Sequence, residues 1–385
     1  MSEKERLGFE TCAIHTGQQP ERETGAVVTP VHLTSTYVHD APGAHRGYEY
    51  TRSGNPTRTA FEECLASLER GSRGFAFASG TQASATLMQL LKVGDHVVCC
   101  DDMYGGTHRM FEQVYTRFGL SFSYADLTDP ACFDEFVRDE TAMVWLESPS
   151  NPLMKLVDIT AIAERARARG VLVVVDNTFL SPYFQQPLAL GADLVMHSTT
   201  KYIGGHSDLV GGAVVAKNEE LAERVAFLSN ATGGAQSPFD AYLCLRSLKT
   251  LAVRMQAHER SATAIARYLC SHPGVKRVYY PGLPEHPQFE LAMRQSSGHG
   301  GTLSFEMDAD LEEICRALSR FELFTLAESL GGVESLVEHP GLMTHASMPA
   351  ELRESVGIGD GLVRMSVGLE TLDDLIADID QALAG

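Results

Sequence analysis

The chain has 385 residues, 44% of them hydrophobic, enough to bury a large core and more than one domain. Its 31 Lys and Arg against 50 Asp and Glu leave a formal charge of −19 with no basic tail or stripe, which argues against nucleic acid or an anionic membrane as partner. The eight cysteines form no CxxC pair and the opening MSEKERLGFE has no apolar signal segment, so the expectation is reduced thiols, no bound metal, no membrane span and a cytoplasmic setting.

Residues 1–60 lack long periodic segments, are rich in Thr, Gly, Pro and Tyr, and end in GYEYTRSGNPTR; they read as an extended arm. From Thr59 the pattern turns helical through AFEECLASLERG, and beyond FASGTQAS the segment ASATLMQLLKVG reads as a helix closed by Gly94. Short apolar runs then alternate with helical stretches, and HVVCC, AMVWLES, VLVVVDN, DLVMHS and GGAVVA are strand candidates. Between the second and third, Asp158 or Thr160 can cap ITAIAERARARG, which Gly170 stops. Buried runs separated by helices predict an α/β fold with a mostly parallel sheet covered on both faces.

Past roughly residue 245 the texture changes. LKTLAVRMQAHERSATAIARYLCSHPG is a long amphipathic segment, followed by strand-like TLSFEM, helix-like DLEEICRALSRF, strand-like LVRMSVG and a final helix in TLDDLIADIDQALAG. The expected division is an arm over 1–60, a large domain over 61–245, and a smaller α+β C-terminal domain over 246–385 that includes the linking helix.

Ligand sites in such sheets lie beyond the C-terminal ends of the strands, and three groups fall there. Asp176 follows the apolar run VLVVV and is costly to bury without a cation or several donors, although a turn or helix-cap role is an equal reading. FASGTQAS places Gly80 and small hydroxyl residues before a helix, where free N–H groups favour phosphate, although ordinary capping looks the same. Ser198 and Thr200 flank Lys201 in HSTTKYIGGHSDLVGG; alone, Lys201 reads as a solvated surface charge. Taken together, a phosphate site, a carboxylate for an aromatic cation and an imine-forming lysine fit pyridoxal 5′-phosphate, with Tyr104 of DDMYGGT as a ring to stack on it.

From Thr11 to Leu383 the chain resembles the Cys/Met-metabolism family of pyridoxal-phosphate enzymes, through YEYTRSGNPTR, FASG, DDMYGGT, ESPSNP, VVDNTF, STTKYIGGHSD, LAESLGGVESL, MTHASMP and VRMSVGLE. The resemblance implies an aspartate-aminotransferase-like fold of type I. In it Lys201 is the Schiff-base lysine, Asp176 pairs with the pyridine nitrogen and Tyr104 stacks on the ring and assists catalysis. Gly80 and Thr81 would offer backbone N–H groups to the phosphate, with Met commoner than Thr at the second position, and Ser198 and Thr200 would offer hydroxyls. Tyr50 and Arg52 resemble a pair that reaches a neighbouring subunit's phosphate, which implies a homotetramer built as a dimer of catalytic dimers. Arg364 would take the substrate carboxylate with help from Asn151 and Ser329, while Glu49 and Glu328 would face a distal ammonium group.

The partners so implied are small sulfur amino acids. The expected reaction is γ-cleavage of L-cystathionine to L-cysteine, 2-oxobutyrate and ammonia. The alternative is γ-replacement, joining an O-acylhomoserine to L-cysteine. Gly106 stands where relatives that cleave methionine typically carry Cys, which argues against methionine as the main substrate. A noncatalytic protein on an inherited fold is the reading from another class, and the joint presence of Lys201, Asp176, Tyr104 and Arg364 speaks against it.

Overall fold

The arm carries the short helix Phe9–His15 and a two-stranded ribbon, β1 (His39–Ala41) and β2 (Ala44–His45). Asn55 ends the arm: its side chain accepts from Thr57 N and Arg58 N, and Pro56 supplies a pre-set first residue. The helix Pro56–Glu69 therefore starts three residues before the expected Thr59. This computed structural model describes residues 7–346 and 348–384. Residues 1–6 of the opening segment, Ser347 of MTHASMP and Gly385 of the final helical segment lie outside the described residues.

Seven strands form the central sheet: β3 (Arg73–Phe77), β4 (His96–Cys100), β5 (Ser121–Ala125), β6 (Thr141–Glu147), β7 (Leu172–Asp176), β8 (Leu194–Ser198) and β9 (Gly212–Ala216). Their order is β3-β9-β8-β7-β6-β4-β5, and only β9 runs against the rest, so the sheet is mostly parallel as expected. The runs HVVCC and GAVVA are buried along their whole length, which is why they read as continuous apolar segments. β3 and β5 are absent from the sequence reading; β3 opens on the exposed Arg73, and β5 mixes Ser with aromatics at an edge of the sheet.

Asp158 caps the helix Ile159–Ala168 by accepting from Ala161 N, and Gly170 follows at φ 69°, as the pattern predicts. The helix after FAS is shorter than predicted. It spans Gly80–Met88, and Gly94, at φ 94°, turns the chain into β4 rather than closing the helix.

The second sheet contains β10 (Val275–Tyr279), β11 (Thr302–Met307), β12 (Thr325–Leu326), β13 (Leu336–Glu338) and β14 (Leu362–Ser366), in the order β10-β11-β14-β13-β12. The 20-residue helix Leu251–Cys270 joins the two cores: Leu251 and Met255 pack into the first, while Ala262, Ile265, Ala266 and Leu269 pack into the second. Register in the small sheet places Arg364 of β14 opposite Ser304 on one side and Glu338 on the other. Among the described residues no helix is long and apolar enough to cross a membrane.

Candidate active site

The C-terminal ends of β6, β7 and β8 carry Glu147, Asp176 and Ser198 to one rim of the central sheet, facing Arg364 from the second sheet across a cleft of about 260 Å³. Eleven of the fourteen residues singled out from sequence line this cleft: Gly80, Thr81, Tyr104, Asn151, Asp176, Ser198, Thr200, Lys201, Glu328, Ser329 and Arg364. The other three do not. Glu49 and Arg52 line a separate hollow, Tyr50 is 47% exposed, and Arg52 Nη1 donates to the Asn230 carbonyl at 2.5 Å and to Asn230 Oδ1 at 2.9 Å.

At one end of the cleft the helix Gly80–Met88 presents its N-terminus. Ser79 caps it, its hydroxyl taking Gln82 N at 3.0 Å and its carbonyl taking Ala83 N at 3.1 Å. The N–H groups of Gly80 and Thr81 have no acceptor among the described residues, which is the arrangement that attracts an anion. A Cβ on Gly80 would sit 3.0 Å from Ser198 Cβ, so the absence of a side chain lets the helix end close on β8. Thr200 is less free than expected: its hydroxyl accepts from Gly211 N at 3.0 Å and donates to Gly211 O at 3.2 Å.

The same cleft carries a buried carboxylate that forms no salt bridge among the described residues. Asp176 is 8% exposed, and its hydrogen bonds from Thr178, backbone at 3.0 Å and hydroxyl at 2.5 Å, both fall on Oδ1. Burial pushes its carboxyl above the usual range despite those bonds. Glu147 is pushed higher still, by burial and then by the charge of Asp176, against the Tyr104 N–H that it accepts at 2.9 Å. Two buried acids side by side call for a proton or a cationic partner between them. A protonated pyridine nitrogen is such a partner, so the donors and the acids of this cleft together fit pyridoxal phosphate.

Lys201 lines the same cleft. Burial, with the Arg364 cation adding to it, pushes the ammonium down to about 8 against the pull of Glu338 and Glu328. Its Nζ donates to Ser329 Oγ at 2.5 Å. Ser329 has φ 97°, a conformation costly for a residue with a Cβ, and from it the carbonyl accepts from Arg364 Nη2 at 2.7 Å. Thus one strained residue joins the amine to the guanidinium. Arg364 Nη1 also donates to Asn151 Oδ1 at 2.9 Å and pairs with Glu338 Oε1 at 2.9 Å, while its Nε is buried without a partner among the described residues.

Tyr104 borders the cleft with its hydroxyl pushed above the usual phenol range, chiefly by burial, which Arg109 opposes and Glu328 and Glu147 reinforce. A Cβ on Gly106 would come within 2.4 Å of the Tyr104 ring, so a residue with a side chain there would force that ring to move. Glu328 is exposed at the rim.

Sequence reasoning missed Glu147, Thr178 and Glu338. Glu147 and Glu338 each close a buried apolar strand with an acid, the same signal that singled out Asp176. Thr178 gives no sequence signal beyond its nearness to Asp176.

The profile of the Cys/Met metabolism PLP-dependent enzymes matches residues 10–384. The chain belongs to that family. Its cofactor is pyridoxal phosphate and it is an enzyme of carbon–sulfur chemistry. Among curated members of the family it is 54% identical over 377 residues to a cystathionine beta-lyase of Coxiella burnetii, with 97% of each chain covered. It is 50% identical over 384 residues to a cystathionine gamma-lyase of Dictyostelium discoideum, covering 100% of this chain and 99% of that one. The crystal structure of a cystathionine gamma synthase from Xanthomonas oryzae pv. oryzae in complex with cystathionine superposes with a TM-score of 0.96 at 45% identity, covering 98% of both chains.

Proposed function

We propose that this member of the family is a cystathionine γ-lyase, cleaving L-cystathionine with water to L-cysteine, 2-oxobutyrate and ammonia. The observation that carries the reading is the Lys201 amine, held near neutrality by burial and tied through Ser329 to Arg364, the group suited to the substrate carboxylate. A base fixed next to the carboxylate site can serve both neighbouring carbons, which γ-cleavage requires.

Bound pyridoxal phosphate supplies the electron sink that acidifies the substrate α C–H. Asp176 would keep the ring nitrogen protonated, and the Gly80 and Thr81 N–H groups with the Ser198 hydroxyl would hold the phosphate. Thr200 would join them by turning its hydroxyl from Gly211 O, and the Tyr104 ring would border the cofactor. Lys201 is the amine that would hold the cofactor, and as a free amine it would take a proton from the substrate Cα and then one from Cβ. Arg364 offers Nε and Nη2 to the carboxylate, steadied on its other nitrogen by Asn151 and Glu338. Tyr104, kept protonated by burial, donates to the departing thiolate. Glu328 at the rim attracts the distal ammonium group.

The arm over 1–60 belongs in this proposal as an element donated to a second copy, beside a large domain over 61–245 and a smaller one over 246–385. Support comes from Glu49, Tyr50 and Arg52 lying outside the cleft of their own chain, and from apolar arm residues left exposed, Val27 at 80%, Leu33 at 72% and Val38 at 76%. In a dimer of catalytic dimers, Tyr50 and Arg52 would reach the neighbour's phosphate and Glu49 its distal substrate end.

Cleavage at the β bond, releasing pyruvate and homocysteine, is the second reading, favoured by the similarity to the Coxiella protein. γ-Replacement is the third, favoured by the Xanthomonas structure. Incubating the holoenzyme with L-2-aminobutyrate, which has no leaving group, in heavy water separates the first two. Proton NMR should show exchange at both Cα and Cβ; exchange confined to Cα would contradict γ chemistry.

A further inference from the structure

Next to the β7 and β8 ends, but not lining the cleft, lies a buried Glu–His contact that the mechanism above does not use. Glu69 closes the helix Pro56–Glu69 and is 0% exposed; His197 precedes Ser198 in β8 and is 1% exposed. Glu69 Oε1 accepts from His197 Nε2 at 2.6 Å and from Asn177 Nδ2 at 3.0 Å, while Glu69 Oε2 is buried with no partner among the described residues. A carboxylate so enclosed is costly unless a cation faces it, and the short bond to His197 is the geometry of a charge-assisted pair.

The pair grips the residues next to two cofactor-facing groups. Asn177 follows Asp176, and His197 follows Met196, which pairs with Asp176 across the β7–β8 ladder. Asn177 is locked further by Gln185, which receives Asn177 Nδ2 on its carbonyl at 2.8 Å and returns Nε2 to Asn177 Oδ1 at 3.0 Å. One carboxylate thereby ties residues at the ends of adjacent strands, His197 of β8 and Asn177 just past β7.

We propose that Glu69 and His197 form an ionised pair whose histidinium keeps Asp176 a carboxylate, so that the pair positions and electrostatically tunes the acid that holds the cofactor's ring nitrogen. Both are positioning residues, acting through Asp176. A charge on His197 acts against the upward push of burial on Asp176. The other titratable groups facing Asp176 are Glu147 from β6, whose charge opposes ionisation of Asp176, and the cleft residues Lys201 and Tyr104. Among the described residues, Glu69 has no other Lys, Arg or His nitrogen within ion-pair distance besides His197 Nε2.

The inference rests on the pyridoxal-phosphate site proposed above, and the test separates the two. Wild-type, Glu69→Gln and His197→Gln proteins are loaded with cofactor, and the visible absorbance of the lysine-bound cofactor is titrated against pH. Glu69→Gln removes the carboxylate that keeps His197 charged, whereas His197→Gln leaves that carboxylate uncompensated behind Asp176. The midpoint at which the band changes should rise by about one pH unit in Glu69→Gln and further in His197→Gln. Cofactor dissociation constants should weaken about tenfold or more. Midpoints that stay at the wild-type value or move down in either folded variant overturn the proposal, even where melting temperature falls. A variant that fails to fold leaves the other to decide, and if neither folds, binding of cofactor to Asn177→Ala, which frees Glu69 from Asp176's neighbour, should still weaken about tenfold; unchanged binding there also overturns it. Absence of the band from wild-type protein would instead defeat the underlying site reading.

Discussion

In cofactor-free protein, Lys201 should behave as a half-deprotonated amine at pH 8. With its ammonium pushed down to about 8, against 10.5 for an ordinary lysine, about one half of the side chains are neutral at that pH, where an ordinary lysine is about 0.3% neutral. The advantage in reactive amine is therefore roughly 160-fold. The assay is pulsed acylation of the cofactor-free protein between pH 6.5 and 10.5, with the Lys201 peptide quantified by mass spectrometry beside a short lysine peptide in the same buffer. Lys201 should modify with a midpoint near 8. Arg364→Gln should raise that midpoint, because the guanidinium is the charge that opposes protonation after burial itself. A wild-type midpoint above about 10 would refute both the burial argument and the role of this amine as the base.

Further outcomes follow from the same geometry. Asp176→Asn keeps an acceptor for Thr178 but removes the charge, so cofactor retention on dialysis should fall at least tenfold while far-ultraviolet circular dichroism is unchanged. Glu338→Ala leaves the Arg364 cation buried and unpaired, at side-chain exposures of 2% and 1% for the original pair, and should cost about 3–5 kcal/mol in urea unfolding. His258, buried with Nδ1 against the Val367 carbonyl at 2.7 Å, is pushed down to about 4 by burial. Its folded value lies below its unfolded one, so its contribution is whole above about pH 6.5 and is lost as pH falls toward 4, by up to about 3 kcal/mol. Replacing it with Gln should flatten that acid limb in urea titrations at pH 7.5 and 5.

Much of the central sheet was legible because its inner strands are buried on both faces, so β4, β6, β7, β8 and β9 stood out as apolar runs between helices. β3 and β5 at the sheet edges were not, since one face or end meets solvent and the apolar signal breaks. In the smaller sheet the two-residue β12 and three-residue β13 are too short to carry a period. The cofactor end of the site was readable from local patterns: a glycine before a helix, an acid closing an apolar run, hydroxyls flanking a lysine. Glu338 closes a buried strand as Asp176 does, but its pairing with Arg364 comes from strand register, and the link that Ser329 makes between Lys201 and Arg364 comes from its backbone conformation; neither contact is written in a local pattern. The Glu69–His197 contact joins residues 128 apart in sequence and was invisible for that reason.

Product identification from purified, cofactor-loaded protein and L-cystathionine tests γ-cleavage most directly. Matched amounts of 2-oxobutyrate and L-cysteine are the predicted result. Pyruvate with homocysteine would place the cut at the β bond, and no keto acid from fully loaded protein would point to replacement chemistry; either contradicts the lyase assignment.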